Sequence, residues 1–578
     1  MKNWLRFIIT LAAVGAMVLG IAAMALAHGE PTDNKPEYGG TLIISNRVEM
    51  KTLNPNVDVD MESFFVTHAG VYDRLVELDT ETGNVFPDLA ESWEVSDDAK
   101  KLTFKLHPDA KWHDGEAVTS ADVEWTFNKI LEEQAWQSAV LNIIESIETP
   151  DKHTVILNLN EPNAAFLSRL GELNAPVILP KHIYEGTDWT TNEANEKPIG
   201  SGPFKFVEWV KGSHVEVVAN TEYHWGRPYV DRLILRFIPS QAVDMAACES
   251  GEIHYMSQSP PFGELERLSK NSDLKVILEK RVLPIWVAFN LRREPVNDIR
   301  VRRAIAMATD EEDIAKRVYF GHCPVAEGAY LSSSWVYNPD ALEPTYNPEE
   351  AERLLDEAGY PRGADGTRFS LEIVDSITMG FSETNQVMKE QLAKVGIDVT
   401  IESIEWGSFT EKVLKKYDCD IALVGGPHGP DPDTFSNFLE TGKFRNTMGY
   451  SNPRVDELFQ LGRSSGDPEK RKQYYQEIQQ IVVDELPRYN IVEYTWPCVY
   501  RADWHGIPCD PEYDGQLATY DMSHVWWDGA TGTELEAASA AAAGTAVWWI
   551  VGAAVVIVVA VGAYFLWFRK RAQSKAAS

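Results

Sequence analysis

Uncharged apolar runs long enough to enter a bilayer stand at the two ends of this chain and not between them, so the fold in the middle is expected on the outer side of a membrane. At the start, Lys2 and Arg6 precede an apolar run from Phe7 to Ala27 that closes on Ala25-Leu26-Ala27. A basic n-region, an apolar h-region and a small-x-small site describe a signal peptide over 1–27, with an uncleaved N-terminal anchor as the alternative. No cysteine lies near residues 20–28, which excludes a lipid anchor there. At the other end, residues 546–568 carry no charge and suffice for one crossing at about 1.5 Å per residue. Trp548 and Trp549 sit at one rim, Tyr564 and Trp567 at the other, and Arg569-Lys570-Arg571 place the tail 569–578 in the cytoplasm. The expected arrangement is a single-pass membrane protein with an outward-facing ectodomain and a linker over 529–545.

Charge narrows the partners. With 53 basic against 87 acidic residues the formal charge is −34, and such a surface repels phosphate backbones, so nucleic acid is excluded. The five cysteines form no CxxC pair and no Cys/His cluster of zinc spacing, so no structural metal is expected. Cys498 and Cys509 flank a short polar loop and form a candidate disulfide in an oxidising compartment; the odd count leaves at least one thiol free.

Between the ends, strands and helices alternate. Leu102, Phe104 and Leu106 have strand periodicity; Thr119-Ser120-Ala121-Asp122 is a capping box opening a helix with Val123, Phe127, Ile130 and Leu131 on one face. Asn347-Pro348 caps a helix carrying Ala351, Leu354, Leu355 and Ala358 and ending at Gly359. Strands at Phe369/Leu371/Ile373, Ile397/Val399/Ile401 and Ile421–Val424 alternate with helices, which implies parallel α/β packing. Asp467-Pro468 opens a last helix with Tyr474, Ile478, Ile481 and Val482 on its inner face.

No catalytic constellation accompanies these elements. There is no HExxH, no GxSxG and no nucleotide fingerprint, and Gly442-Lys443 is followed by Phe444 where a phosphate loop needs Ser or Thr. His113-Asp114 is a fragment of a Gly-containing turn, and Asp97-Asp98 or Asp431/Asp433 are pairs that an acid-rich chain produces by chance. The chain is read as a non-enzyme without cofactor.

Ordered segments of the same chain resemble a known family. Tyr72-Asp73-Arg74-Leu75-Val76, Pro87-Asp88-Leu89-Ala90-Glu91-Ser92-Trp93, Trp112-His113-Asp114-Gly115-Glu116, Ile199-Gly200-Ser201-Gly202-Pro203-Phe204, Ser250-Gly251-Glu252-Ile253, Phe289-Asn290 with Val301-Arg302-Arg303-Ala304, and the Asp431-Pro432-Asp433 turn are similar to the signature segments of the family 5 extracellular solute-binding proteins of ABC importers, the peptide/nickel type. The resemblance implies a two-lobed α/β periplasmic-binding-protein fold of type II with an extra domain: lobe I over 38–70, 200–287 and 490–528, an inserted domain over 71–199, and lobe II over 288–489. It implies a monomeric receptor that closes its lobes on a small solute, a peptide or something like it, and delivers it to ABC permease subunits. A surface receptor for sensing, or for a sugar, an opine or a metal chelate, is the alternative.

The resemblance also implies a site. Peptide-binding relatives place a Trp in a Glu-Trp-Gly segment, here Glu405-Trp406-Gly407, and an Asp for the peptide ammonium just before the Asp-Pro turn. In this chain that ungapped position is His428, within Gly425-Gly426-Pro427-His428-Gly429-Pro430. Substrate-binding residues are therefore expected at Trp406, Gly426, His428, Asp431 and Asp433, and the missing carboxylate departs from the family's peptide pattern.

Overall fold

Strands in the central part sort into sheets according to how many of their faces are apolar. The computed structural model describes residues 36–58, 63–79, 83–172, 175–279, 283–425, 430–510 and 521–529; the expected signal peptide, membrane helix and tail, and the expected linker 529–545 beyond its first residue, lie outside them. Among the described residues no helix is long and apolar enough to cross a membrane. Residues Gly40–Val525 form one unit.

The alternating residues Leu102, Phe104 and Leu106 are buried on the strand Lys101–Leu106, which pairs with Ala90–Val95 and Thr154–Leu159 in a four-stranded antiparallel sheet completed by Ile144–Asp151. Helix Ser120–Glu133 packs on this sheet through Val123, Phe127 and Ile130, and the Asp122 carboxylate accepts from the Thr119 N–H at 2.8 Å, as a capping box requires.

In a seven-stranded sheet the order is Leu274–Glu279, Trp496–Arg501, Tyr255–Met256, Thr41–Asn46, Arg232–Phe237, His214–Ala219 and Phe204–Val210. A five-stranded sheet orders Ile397–Ile404, Phe369–Ser376, Ile421–Gly425, Pro284–Phe289 and Arg488–Glu493. All six residues of Pro284–Phe289 are buried, because both faces of this sheet are covered. Val287, Ile373 and Leu423 pack on one side, Trp286, Val374 and Ala422 on the other. The three strands Phe369–Ser376, Ile397–Ile404 and Ile421–Gly425 are mutually parallel as expected, but Pro284–Phe289 runs antiparallel to both neighbours, so the sheet is mixed.

Three expectations change. The chain passes between the large sheets at Glu279 to Pro284 and at Glu493 to Trp496, whereas the boundaries read from the sequence, 287/288 and 489/490, fall inside strands of the five-stranded sheet. Backbone pairing, which the sequence does not display, decides where a strand belongs. On helix Pro468–Glu485 the buried stripe is Arg471, Tyr475, Ile478 and Val482; Tyr474 and Ile481 are only partly buried. The period of 3.6 fits either tyrosine, and the inward arginine decides between them. Cys498 and Cys509 are both buried and form no disulfide with each other; Cys498 lies mid-strand opposite Ile277, its thiol 3.9 Å from the Tyr255 hydroxyl.

The Gly200/Gly202 and His113 motifs, distant in sequence, form one clasp. The Gly202 N–H donates to the Val71 carbonyl at 3.0 Å, and a Cβ at Gly200 would sit 1.7 Å from that same carbonyl oxygen. The His113 ring closes the clasp. Its Nδ1 accepts from the Gly200 N–H at 3.2 Å and its Nε2 faces the Gly202 carbonyl at 3.0 Å, which makes Nε2 the protonated nitrogen. Burial pushes His113 down to about 4, outweighing the Gly202 carbonyl that favours the charged ring. A depressed pKa means that the unfolded chain binds the extra proton between pH 6.5 and 4, so this contribution is complete above 6.5 and is lost on acidification through 4. The difference in unfolding midpoint between the wild type and His113→Gln should therefore shrink over that window, by up to about 3 kcal/mol at 1.36 kcal/mol per unit. A difference independent of pH over that window would show that folding leaves the His113 pKa unshifted.

Candidate functional site

Parallel strands end on the same edge of their sheet, and that edge is where open α/β sheets place their binding loops. Here it is formed by the C-terminal ends of Phe369–Ser376, Ile397–Ile404 and Ile421–Gly425. Trp406 follows the second of these strands at once and opens the short helix Trp406–Phe409. Its ring stacks on Phe409 at 5.6 Å and 14°, and Phe409 is buried in the core beneath, so Trp406 stands on a rigid base while 43 % of it remains exposed. Core packing does not account for a tryptophan in that position.

Gly425 closes the third strand with Phe381 against it, where a Cβ would meet the ring at 2.6 Å. The expected residues Gly426 and His428 come next and lie outside the described residues. Asp431 and Asp433 resume the chain on the same edge at the turn Pro432–Phe435.

Both aspartates are buried, and most of their oxygens are taken. Asp431 caps the turn by accepting from the Asp433 N–H at 2.9 Å, and Nη2 of Arg471 donates to its two oxygens at 2.7 and 2.8 Å. Asp433 Oδ1 accepts from Arg463 at 3.1 Å, and Arg463 also pairs with Glu440. Burial raises Asp433, with Arg463 opposing. Its second oxygen, Oδ2, is buried without a hydrogen-bond partner. The Tyr330 hydroxyl holds the Pro432 carbonyl at 3.2 Å. Asp431 thus secures the turn Pro432–Phe435 to helix Pro468–Glu485, and Asp433 keeps one carboxylate oxygen unspent.

Sequence reading missed Arg463 and Arg471. The only signal for Arg471 was its helical spacing of four from Tyr475, and a charged residue on an amphipathic helix is ordinarily assigned to solvent. Across the site, the backbone N–H of Ala164 donates to the Arg463 carbonyl at 2.8 Å, and Gly83 packs on Pro430 with room of only 3.2 Å for a Cβ. The 83–172 region, which carries the four-stranded sheet, therefore touches the loop that follows the five-stranded one.

Comparison with known proteins places this architecture. The chain is 28 % identical over 506 residues to the oligopeptide-binding protein AppA of Bacillus subtilis, covering 82 % of this chain and 90 % of that protein. It is 25 % identical to the dipeptide-binding protein of Escherichia coli, covering 87 % and 97 %. The structure of the periplasmic binding protein DppA from Helicobacter pylori, solved with the peptide STSA, superposes with a TM-score of 0.73 at 26 % identity over 85 % of this chain and 99 % of that one. The fold is the two-lobed α/β arrangement of these binding proteins. The model of the bacterial extracellular solute-binding proteins, family 5, matches residues 84–446, and the chain belongs to that family.

Proposed function

We propose that this protein is the extracytoplasmic substrate-binding receptor of an ABC importer for peptides or a closely similar solute. The observation that carries this reading is Trp406, an exposed aromatic on a fixed base at the strand-end edge, in a fold shared with peptide-binding relatives. The seven-stranded sheet belongs to lobe I, the five-stranded sheet to lobe II, and residues 71–199 to an inserted domain. The two crossings at Glu279 to Pro284 and Glu493 to Trp496 are the hinge about which the lobes close on ligand.

The apolar run 546–568 with its basic flank supports a single-pass anchor. A linker over 529–545 reaches about 20–25 Å, as coil or as helix, and holds the ectodomain at high effective concentration beside its permease. His428, where relatives of the peptide type carry Asp, favours a second reading in which the ligand is an opine, a sugar or a metal chelate.

Calorimetric titration with trialanine tests the first reading. Trp406→Ala should weaken binding at least tenfold, as loss of an anchoring aromatic of about 2 kcal/mol requires. The unfolding midpoint of the ligand-free form should move by only a few degrees, because the ring is half in solvent. Absence of trialanine binding to the wild type would refute the peptide reading.

A further inference from the structure

Aromatic side chains gather where the chain crosses between the two large sheets. Tyr494 lies in the crossing from Glu493 to Trp496, and its N–H donates to the Leu283 carbonyl of the other crossing at 2.9 Å. Its ring meets Trp496 at 6.3 Å and 67°, Tyr319 at 6.0 Å and 90°, and Phe262 at 5.5 Å and 85°. Phe262 also meets Tyr319 edge to face at 5.6 Å and lies nearly parallel to the His322 ring at 6.1 Å. Aromatic pairs at such distances attract beyond the area they bury.

Phe262 reaches this group from the opposite body. It stands between strands Tyr255–Met256 and Leu274–Glu279 of the seven-stranded sheet. Helix Leu265–Leu268 follows it and places Leu268 in the core beneath that sheet, with Met256 and Val499. Phe262 itself packs against the core of the five-stranded sheet, which includes Tyr319. Its backbone is thus tied to one body and its ring is seated in the other.

A second ring reaches back. Phe320 follows helix Glu311–Arg317 with φ of +54°, a left-handed conformation that a bulky side chain adopts only at a cost. The Gly321 N–H closes the helix end on the Ala315 carbonyl at 2.9 Å, so Phe320 occupies a position that helix ends usually give to glycine. Its ring is 59 % exposed and lies over Gly263, where a Cβ would come within 3.0 Å of the ring tip. A strained residue whose ring is exposed on one side and set against a bare glycine on the other calls for a functional explanation.

We propose that Phe262 and Phe320 form an aromatic latch across the hinge, holding the two bodies in the arrangement in which residues 83–172 touch the loops beyond the five-stranded sheet. The motion that it restrains is the lobe closure of the receptor reading, on which the inference rests. When the bodies swing apart, the Phe262 ring leaves its socket and Phe320 leaves Gly263. The ring contacts therefore belong to the closed side of the equilibrium and bias it before any ligand arrives.

Hydrogen exchange of the ligand-free full chain, resolved to single amides by fragmentation in the mass spectrometer, tests this. The reporter is Ala164, whose N–H donates to the Arg463 carbonyl at 2.8 Å across the closed contact and which shares no residue with the latch. Asn163, bonded to the Ala99 carbonyl at 2.9 Å within its own region, is the control. In Phe262→Leu, which keeps an apolar side chain without a ring, Ala164 should exchange at least about fivefold faster while Asn163 stays unchanged. Phe320→Gly separates latching from packing. Glycine takes the left-handed conformation freely, so the unfolding midpoint should not fall, yet Ala164 should quicken at least about threefold. Wild-type exchange of Ala164 in both variants overturns the latch and leaves the receptor reading intact. A parallel rise at Ala164 and Asn163 also overturns it, because the rings would then serve general stability alone. No solute is present in the measurement, so its outcome is separate from the question of which ligand the receptor takes.

Discussion

Gly200→Ala is expected to destabilise the ligand-free protein by at least about 3 kcal/mol, at or beyond the upper end of ordinary overpacking. The new Cβ would stand 1.7 Å from the Val71 carbonyl oxygen and 2.6 Å from its carbon. That obstacle is backbone, which cannot rotate away as a side chain does. The same carbonyl accepts the Gly202 N–H, and His113 is bonded to both glycines, so moving it opens the clasp between the 71–113 segments and the start of the seven-stranded sheet. Gly407, in the Glu-Trp-Gly segment, provides the control. Nothing lies within 4 Å of its would-be Cβ, and Gly407→Ala should change stability by no more than about 0.5 kcal/mol. Chemical unfolding of the two variants beside the wild type gives the comparison. Equal effects would show that the return of the chain at Gly200 relaxes freely.

The second large effect concerns Asp431. Asp431→Asn keeps the shape and the capping oxygen but leaves the Arg471 guanidinium buried without a counter-charge, and breaking such a pair costs about 3–5 kcal/mol. Replacing both partners should recover most of the loss, because two buried charges carry a desolvation penalty that their attraction offsets only in part. Asp431→Asn with Arg471→Met is therefore expected to be more stable than Asp431→Asn alone. The measurement also separates two roles for the residue. A carboxylate that served a ligand ammonium would, when neutralised, abolish binding and leave the ligand-free unfolding midpoint unchanged. A carboxylate that holds the turn Pro432–Phe435 would, when neutralised, lower the midpoint first and affect binding only secondarily.

Much of this protein is legible in its sequence because the signals concerned are local. Capping at Thr119 and Asn347, the alternation at Leu102–Phe104–Leu106 and the order of the parallel strands each depend on residues a few positions apart, and the structure reproduces them. Trp406 was singled out through a short segment, and in the structure 43 % of it is exposed.

The tertiary structure alone decided what depends on distant pairs. Nothing local in Arg471 says that it turns inward to Asp431 forty residues earlier, nor that the Gly200 backbone lies against Val71. The strands Pro284–Phe289 and Arg488–Glu493 carry apolar patterns that fit either large sheet, and only their hydrogen-bond partners assign them to the five-stranded one. Sequence thus determined the α/β class and the family resemblance, and it supplied the outward-facing compartment and the Trp406 site as expectations. Which charges are paired and which remain open there is set by desolvation, a property of the folded molecule that no residue carries by itself.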